Sequence, residues 1–271
     1  MTDLAGWRQH RTLTNAGAHA RASAMSPVAS LPPPPPLRAS GHCLLLDFDG
    51  TLVDLVDRPD AIVVDTGLID LLHQLAGTFA GRFALVSGRS VAQIEGFLGD
   101  AAAEIAVVGS HGAELRLGGR NIAPDRPPAL VEAERAFSAA FAGEEGVVVE
   151  VKSLGVAVHY RMAPEHGVAA RRLAEQYADR DGLVLQTGKM MVELRGGGHD
   201  KGTGIDALLR HEPFAGHMPV FAGDDVTDES GLALVAERGG VGVLVGAPRE
   251  TAAQFRLDDV AAVRAWLEKA A

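Results

Sequence analysis

One stretch of this sequence reads Leu44-Leu45-Leu46-Asp47-Phe48-Asp49-Gly50-Thr51-Leu52. Its three consecutive leucines predict a strand that is buried on both faces of a parallel sheet, and Gly50 allows a sharp turn where that strand ends. Ligands of open α/β sheets bind outside the carboxyl ends of the strands. We therefore expect Asp47 and Asp49 to lie at the ligand-binding edge of the sheet.

The sequence after this stretch alternates between predicted helices and predicted strands. Asp65 can cap a helix whose leucines recur at helical spacing, and Ser90 with Gln93 resembles a capping box for the next helix. Residues 83–86 and 105–108 predict two further buried strands. This order is typical of a doubly wound α/β layer, in which right-handed crossovers bring the strand ends to one rim.

A different pattern begins near Gly112, where predicted hairpins interrupted by helices favour an α+β insert. The parallel pattern resumes after a run of three glycines near residue 197. We therefore predict a discontinuous α/β core domain, with a mostly parallel sheet, formed by residues 41–111 and 198–271. Residues 112–197 form an inserted cap domain in this prediction.

The N-terminal region is rich in Ala, Arg, Ser and Pro, and residues 32–36 are five consecutive prolines. Prolines lack a backbone N–H donor and favour extended backbone, so residues 1–40 are predicted to be a disordered tail with a stiff spacer. One alternative is a docking site for a proline-recognising protein module. A transit-type segment is another, because this region has four arginines and one acidic residue.

Composition limits the classes of partner. The chain has 271 residues, of which 47% are hydrophobic, and a formal net charge of -10, which argues against binding nucleic acid or an anionic membrane surface. No apolar run approaches the ~20 residues of a membrane span, and the N-terminus lacks the apolar core of a secretory signal. The single cysteine, Cys43, excludes an internal disulfide and suits a reducing compartment. We expect a cytoplasmic protein.

Four polar motifs follow one another at the ends of predicted core elements. Together they resemble the four motifs of the haloacid-dehalogenase superfamily of phosphotransferases, and the resemblance extends over residues 43–265. The four motifs are Asp47-Phe48-Asp49-Gly50-Thr51, Ser87, Lys201-Gly202 and Gly223-Asp224-Asp225 with Asp228. The resemblance implies a haloacid-dehalogenase-like core and transfer of a phosphoryl group.

Under this hypothesis, Asp47 attacks phosphorus to form an aspartyl-phosphate. Asp49 protonates the departing oxygen and then activates the water that hydrolyses the intermediate. Ser87 donates a hydrogen bond to the phosphoryl oxygens, and Lys201 supplies the positive charge that an acidic protein otherwise lacks. For Arg89 two interpretations stay open, because it could face the phosphate or pair with a carboxylate of the core.

The expected cofactor is Mg²⁺, because oxygen atoms are the ligands that this ion prefers. Its predicted ligands are the carboxylates of Asp47 and Asp224 and the backbone carbonyl of Asp49. Asp225 and Asp228 are predicted to orient the metal, its waters or Lys201. An equally open interpretation is that these two aspartates cap the following helix.

Charged residues alternate along two strands of the predicted cap, placing Glu150 and Lys152 on one face of the first strand. Such charges alone need no function, but five segments resemble trehalose-6-phosphate phosphatases. These segments are Gly109-Ser110-His111-Gly112-Ala113-Glu114, Val149-Glu150-Val151-Lys152, Val158-His159-Tyr160-Arg161, Lys189-Met190-Met191-Val192-Glu193 and Gly223-Asp224-Asp225-Val226-Thr227-Asp228-Glu229. The resemblance implies that Glu150, Lys152 and Glu193 bind hydroxyls of the distal glucose, and that His111 and His159 shape the cap–core interface.

Two alternative functions stay open from the sequence. The chain could be another sugar-phosphate phosphatase of the same superfamily, acting on a glucosyl or mannosyl phosphoglycerate or on sucrose phosphate. It could also be a non-catalytic sugar-phosphate-binding regulatory module that docks a synthase through its proline-rich tail. Because Asp47, Asp49, Lys201 and Asp224 are all present, we favour an enzyme over a binding module. The resemblance implies a Mg²⁺-dependent phosphatase whose small-molecule substrate is trehalose 6-phosphate.

Overall fold

A computed structural model describes residues 31–56, 62–188 and 190–271 of the chain. Residues 1–30 of the predicted tail and Lys189 of the cap motif lie outside the described residues. The strands and helices are, in chain order, β1 (His42–Leu46), α1 (Thr66–Thr78), β2 (Phe83–Val86), α2 (Val91–Leu98), β3 (Ala106–Gly109), β4 (Glu114–Leu117), β5 (Arg120–Ile122), α3 (Pro128–Ala140), β6 (Val148–Val151), β7 (Gly155–His159), α4 (Gly167–Glu175), β8 (Leu183–Gly188), β9 (Met191–Gly196), α5 (Lys201–Leu208), β10 (Met218–Gly223), α6 (Glu229–Glu237), β11 (Val241–Val245), β12 (Phe255–Leu257) and α7 (Val260–Leu267).

The larger sheet contains, within the described residues, eight strands in the order β12-β11-β10-β1-β2-β3-β4-β5. The strands from β12 to β3 run parallel, and β1 lies between β10 and β2. The leucines of β1 are fully buried because the sheet has helices on both faces: Leu44 and Leu46 pack with α1, α2 and α7, whereas Leu45 packs with α5 and α6. This arrangement confirms the predicted doubly wound α/β core.

A smaller antiparallel sheet has the strand order β6-β7-β9-β8. Val156, Val158 and Leu194 point from its central strands into a hydrophobic cluster with α3 and α4. Because side chains alternate along a strand, the opposite face of this sheet carries Glu150 and Glu193, which align across Ala157 of β7. The α+β character predicted for the insert is confirmed. The polar face of its sheet is not covered by α3 and α4 and can therefore form part of a functional site.

The hairpin near residues 113–123 forms as predicted, but it extends the larger sheet instead of joining the insert. β4 pairs antiparallel with β3, and β5 pairs with β4. Two charged side chains are buried there: Glu114 accepts a hydrogen bond from Val91 N at 2.7 Å, and Arg116 donates to Ile105 O at 2.8 Å. The predicted cap boundary at residue 112 therefore differs from the division between the sheets, since a hairpin pattern does not specify which sheet it joins.

The part of the predicted tail that the structure describes contacts the core. Arg256 N donates to Pro32 O at 3.0 Å, and Trp266 Nε1 donates to Pro35 O at 2.9 Å. Leu31 and Leu37 pack against the hydrophobic clusters on the two faces of the sheet. Residues 31–40 are thus fixed at several points. The described helices include none with the length and apolar character needed to cross a membrane.

We expect Trp266→Phe to lower the free energy of unfolding by about 1 kcal/mol, because phenylalanine keeps the apolar packing and loses the hydrogen bond to Pro35 O. Urea denaturation followed by circular dichroism measures this change. Phe255→Tyr, at a partly exposed position of β12, provides a control for altering one aromatic ring in the same region. An unfolding free energy equal to that of the wild type would show that the hydrogen bond from Trp266 to Pro35 O contributes nothing to stability.

Candidate phosphoryl-transfer site and cap pocket

The polar ends of neighbouring parallel strands converge at one edge of the larger sheet. Asp47 follows β1, Ser87 follows β2 and Asp224 follows β10. Gly50 has φ +78°, and a Cβ atom there would lie 2.2 Å from Asp224 Oδ2. A glycine is therefore required at this turn for both its left-handed conformation and its closeness to Asp224.

Lys201 lies at the centre of this edge. It is the first residue of α5, which begins there because Asp200 caps the helix by accepting from Thr203 N at 2.7 Å. Arg195 Nη1 donates to His199 O at 3.0 Å, which ties the glycine-rich loop back to β9. The glycine-rich loop and the helix cap together place Lys201 in the site.

The Lys201 ammonium is buried between two carboxylates. Nζ donates to Asp47 Oδ1 at 2.7 Å and to Asp228 Oδ1 at 2.6 Å, and all three residues are at most 3% exposed. Burial alone would lower the pKa of Lys201, but the charges of Asp47 and Asp228 raise it above its ordinary value. Lys201 is therefore a permanent positive charge beside Asp47.

The site carries more negative than positive charge around Lys201. Carboxylate oxygens of Asp47, Asp224 and Asp228 all lie within 4.8 Å of one another. Burial and repulsion by Asp228 raise the pKa of Asp47 well above its ordinary value, and the same two causes raise the pKa of Asp224 to about 6. One ammonium against three carboxylates, with oxygen donors only, fits a divalent cation such as Mg²⁺.

The two flanking aspartates differ in their contacts. Asp228 Oδ2 accepts from Asp225 N at 2.9 Å while its other oxygen holds Lys201, so Asp228 orients the lysine and also caps the turn. Asp225 accepts from Val226 N at 2.5 Å, which matches the capping interpretation. Asp225 is exposed toward the cavity, and its predicted role in orienting the metal stays a prediction.

Asp49 is held by a two-point ion pair with Arg89. Arg89 Nε donates to Asp49 Oδ2 and Nη2 donates to Oδ1, each at 2.8 Å. The guanidinium carbon lies 4.9 Å from the centroid of the Phe97 ring, a distance typical of a cation–π contact. Of the two open interpretations for Arg89, the structure shows the pairing with a carboxylate of the core.

Ser87 differs from the other predicted site residues. Its side chain is fully buried, its Oγ accepts from Arg89 N at 3.1 Å, and it does not line the cavity described below. The hydroxyl therefore supports the turn after β2 in this structure. Its predicted hydrogen bond to phosphoryl oxygens stays a prediction.

The predicted sugar-binding residues of the cap meet on the polar face of the smaller sheet. Lys152 Nζ donates to Glu193 Oε1 at 2.9 Å, and His159 Nε2 lies 2.8 Å from Glu150 Oε2. Burial would raise the pKa of Glu150, but the hydrogen bond with His159 and the charge of Lys152 lower it to about 2. Glu150 is thus an ionised acceptor.

His111 approaches this cluster from the core, with Nε2 3.9 Å from Glu193 Oε2. Burial and the nearby charge of Lys152 lower the pKa of His111 to about 3, so the imidazole is neutral near neutral pH. A Cβ atom at Gly88 would lie 2.5 Å from its ring, so the glycine leaves room for it. His111 and His159 both lie at the interface where the sequence predicts them.

A cavity of about 860 Å³ lies between the charged residues around Lys201 in the core and the cluster of Glu150, Lys152 and Glu193 in the cap. Its walls include nearly all predicted site residues, with Ser87 and Asp228 outside the lining. No role is predicted for Arg161, Gln186 or Met191, which also line it: Arg161 and Met191 lie within the cap segments that carry the family resemblance, and no motif includes Gln186. The predicted residues in its walls are Asp47, Asp49, Glu150, Lys152, Glu193, Lys201, Asp224 and Asp225.

Comparison with known proteins gives the class and then the family. The fold is that of the haloacid-dehalogenase (HAD) phosphatases: a HAD-superfamily phosphatase structure from Bacteroides thetaiotaomicron matches with a TM-score of 0.54 at 19% identity, over 83% of this chain and 92% of that one. The model of the trehalose-phosphatase family matches residues 45–261. The chain belongs to that family, which confirms the resemblance found in its sequence and makes it a phosphoric monoester hydrolase.

Two relatives illustrate this membership. Trehalose-6-phosphate phosphatase of Escherichia coli is 36% identical over 239 residues, which are 86% of this chain and 88% of the relative. The crystal structure of a trehalose-6-phosphate phosphatase related protein matches with a TM-score of 0.65 at 28% identity, over 83% of this chain and 95% of that chain.

The acidic cluster gives a pH-dependent prediction for the protein in EDTA. The pKa of Asp224 is higher in the folded protein than its ordinary value, so the folded state binds the Asp224 proton more tightly than the unfolded chain does. This proton binding stabilises the folded state below about pH 4, and the stabilisation is lost as the pH rises through about 6. Two pKa units correspond to about 3 kcal/mol, and partial exposure of Asp224 reduces the expected effect to about 1–2 kcal/mol.

Asp224→Asn should therefore be more stable than the wild type by about 1–2 kcal/mol at pH 7.5 in EDTA, and nearly equal to it at pH 4. Urea denaturation at both pH values measures the difference. Asp54→Asn, which removes an exposed aspartate that is not among the charges acting on Asp224, is the control. A variant less stable than the wild type at pH 7.5 would contradict the charge excess that we describe.

Proposed function

We propose that this chain hydrolyses trehalose 6-phosphate to trehalose and phosphate, which would place it in trehalose biosynthesis. The observation that carries the proposal is that an aspartate–lysine cluster suited to a phosphoryl group faces a carboxylate–ammonium cluster suited to sugar hydroxyls across one cavity. Family membership supports the same conclusion. Because both clusters line the same cavity, one substrate could place its phosphate at the first cluster and its distal sugar at the second.

The first chemical step uses Asp47 as the nucleophile. An oxygen of Asp47 bonds to phosphorus while the bond from phosphorus to the sugar oxygen breaks, giving an aspartyl-phosphate. Lys201 holds Asp47 Oδ1 at 2.7 Å, and Thr51 Oγ1 donates to Oδ2 at 3.3 Å, so the carboxylate is oriented before the substrate arrives. The positive charge of Lys201 also stabilises the negative charge on the phosphoryl oxygens.

Asp49 performs the proton transfers in this proposal. It gives a proton to the departing sugar oxygen and then takes one from the water that attacks phosphorus, releasing phosphate and Asp47. Both oxygens of Asp49 accept from Arg89 in the structure, so these transfers require it to release at least one of those hydrogen bonds.

The cofactor that fits this site is Mg²⁺. It would be held by the carboxylates of Asp47 and Asp224 and by the backbone carbonyl of Asp49, and when bound it would neutralise charge on the attacking and phosphoryl oxygens. Lys201 alone cannot supply this charge, because it is already shared between Asp47 and Asp228.

Substrate choice is assigned to the cap. Glu150, Lys152 and Glu193 would exchange their present contacts for hydrogen bonds with hydroxyls of the distal glucose. A site built from such groups discriminates strongly against substrates that leave them unpaired. We propose a small-molecule sugar phosphate as the substrate.

The fully buried Cys43 is compatible with a cytoplasmic location, and a protein partner for the tail stays a prediction.

Phosphate release measured against a panel of substrates tests the function. The panel contains trehalose 6-phosphate, sucrose 6-phosphate, glucosyl and mannosyl phosphoglycerates and glucose 6-phosphate, each with Mg²⁺ and with EDTA. We expect trehalose 6-phosphate to have the highest kcat/KM and activity to disappear in EDTA. A better substrate elsewhere in the panel would overturn the narrow assignment.

Asp47→Asn tests the nucleophile in the same assay. The amide cannot form the aspartyl-phosphate, so kcat should fall by about 10³-fold or more. Asp54→Asn, an exposed aspartate seven residues further on, is the matched control and should keep full activity. Substantial residual turnover in Asp47→Asn would show that another group attacks phosphorus.

A further inference from the structure

The side chain of Gln93 spans the boundary between the core and the cap. On the core side, its Oε1 accepts from Ser90 N at 2.9 Å, and Ser90 Oγ accepts from Gln93 N at 3.2 Å. This is a complete capping box at the start of α2. The box fixes the amide group in one orientation, because its oxygen is committed to the helix end.

The other end of the same amide group reaches the cap. Gln93 Nε2 donates to Glu150 Oε1 at 2.6 Å, across 57 positions of sequence. The second oxygen of Glu150 lies 2.8 Å from His159 Nε2 within the cap. Glu150 is therefore held by one donor from each domain, and the donor from the core is oriented by the helix cap.

We propose that Gln93 is a positioning residue that couples cap closure to sugar recognition. By holding Glu150, it keeps the cap docked in the position where the carboxylate faces the cavity. The proposal rests on the proposed function only for the identity of the sugar phosphate; the docking of the cap stands on geometry alone.

The residue type at position 93 matters for this role. Glutamate would complete the capping box as well as glutamine does. It would, however, replace the N–H donor with an oxygen acceptor and bring a second carboxylate against the ionised Glu150, where like charges repel. The helix cap therefore accepts either residue, whereas the contact with the cap domain requires the amide.

Other side-chain contacts also join the core to the cap. Ser110 Oγ lies 3.4 Å from Ser153 Oγ, and the Ser153 hydroxyl also donates to Glu114. These contacts involve no member of the predicted sugar-binding set itself, although Ser153 directly follows Lys152 in the chain. Gln93 differs from them because it binds directly to a residue of that set.

Gln93→Glu is the decisive variant, because it keeps the helix cap and removes the contact with Glu150. We expect KM for trehalose 6-phosphate to rise about tenfold or more while kcat changes by less than threefold. Hydrolysis of p-nitrophenyl phosphate, which has no distal sugar, should change by less than twofold. Gln74→Glu, the same chemical change at an exposed position of α1, should change neither reaction.

The position of the cap can be measured without any substrate. Fluorophores on cysteines introduced at the exposed residues Asp100 of the core and Glu165 of the cap report the distance between the domains. The native Cys43 is fully buried and should not react. Gln93→Glu should lengthen this distance or broaden its distribution. Gln93→Glu combined with Glu150→Gln should restore the wild-type distance, because the amide at position 150 can then donate to the carboxylate at position 93.

The outcomes separate this inference from the proposed function. If the wild type does not hydrolyse trehalose 6-phosphate, the proposed function fails and the distance measurement still tests Gln93. If Gln93→Glu leaves both KM and the interdomain distance unchanged, the coupling is wrong and Gln93 only caps α2. Equal losses on trehalose 6-phosphate and p-nitrophenyl phosphate would likewise overturn it, because they would indicate general damage to the core.

Discussion

The buried ion triad of Asp47, Lys201 and Asp228 is the interaction on which the rest of the site depends. A buried charge without a partner costs about 3–5 kcal/mol, so the three residues must arrive together. They come from the end of β1, the start of α5 and the turn after β10, which are adjacent only in the folded sheet. The fold and the reaction centre therefore require each other.

The triad also explains the division of labour between the domains. In the proposed mechanism, the core supplies the fixed charge of Lys201 and the nucleophile Asp47, which act on the phosphate group of the substrate. The cap presents Glu150, Lys152 and Glu193 on the polar face of its sheet, while its apolar face packs on α3 and α4. If these residues bind the sugar as proposed, changes in the cap should alter sugar selection with little effect on the phosphate chemistry.

Much of the core could be predicted from the sequence because parallel strands end at a common edge. An apolar run followed by aspartate identifies both β1 with Asp47 and β10 with Asp224. Lys201 was predicted from its motif at the end of a core element, whereas the cap by Asp200 that begins its helix is seen only in the structure. The strand β12 has only three residues, too few to show a period. Likewise, the hairpin of β4 and β5 was predictable as a hairpin, whereas its sheet was not.

Contacts between distant side chains were the least predictable part of the site. The ion pair between Arg89 and Asp49 joins residues 40 positions apart, and the bond from Gln93 to Glu150 joins residues 57 apart. The sequence indicates Gln93 as a helix cap because capping is local, but its second partner depends on how the domains dock. The contacts of Pro32 and Pro35 with the core were likewise not predictable, because they join residues that are distant in the sequence.

The most direct test of the central claim is a crystal structure of the protein with Mg²⁺ and beryllium fluoride, a mimic of the phosphoryl group on a carboxylate. We predict a beryllium fluoride adduct bonded to Asp47, with the adduct's negative charge facing Lys201, and no adduct when Mg²⁺ is omitted. An adduct on Asp49, or none on Asp47 in the presence of Mg²⁺, would contradict the assignment of Asp47 as the group that carries the phosphate.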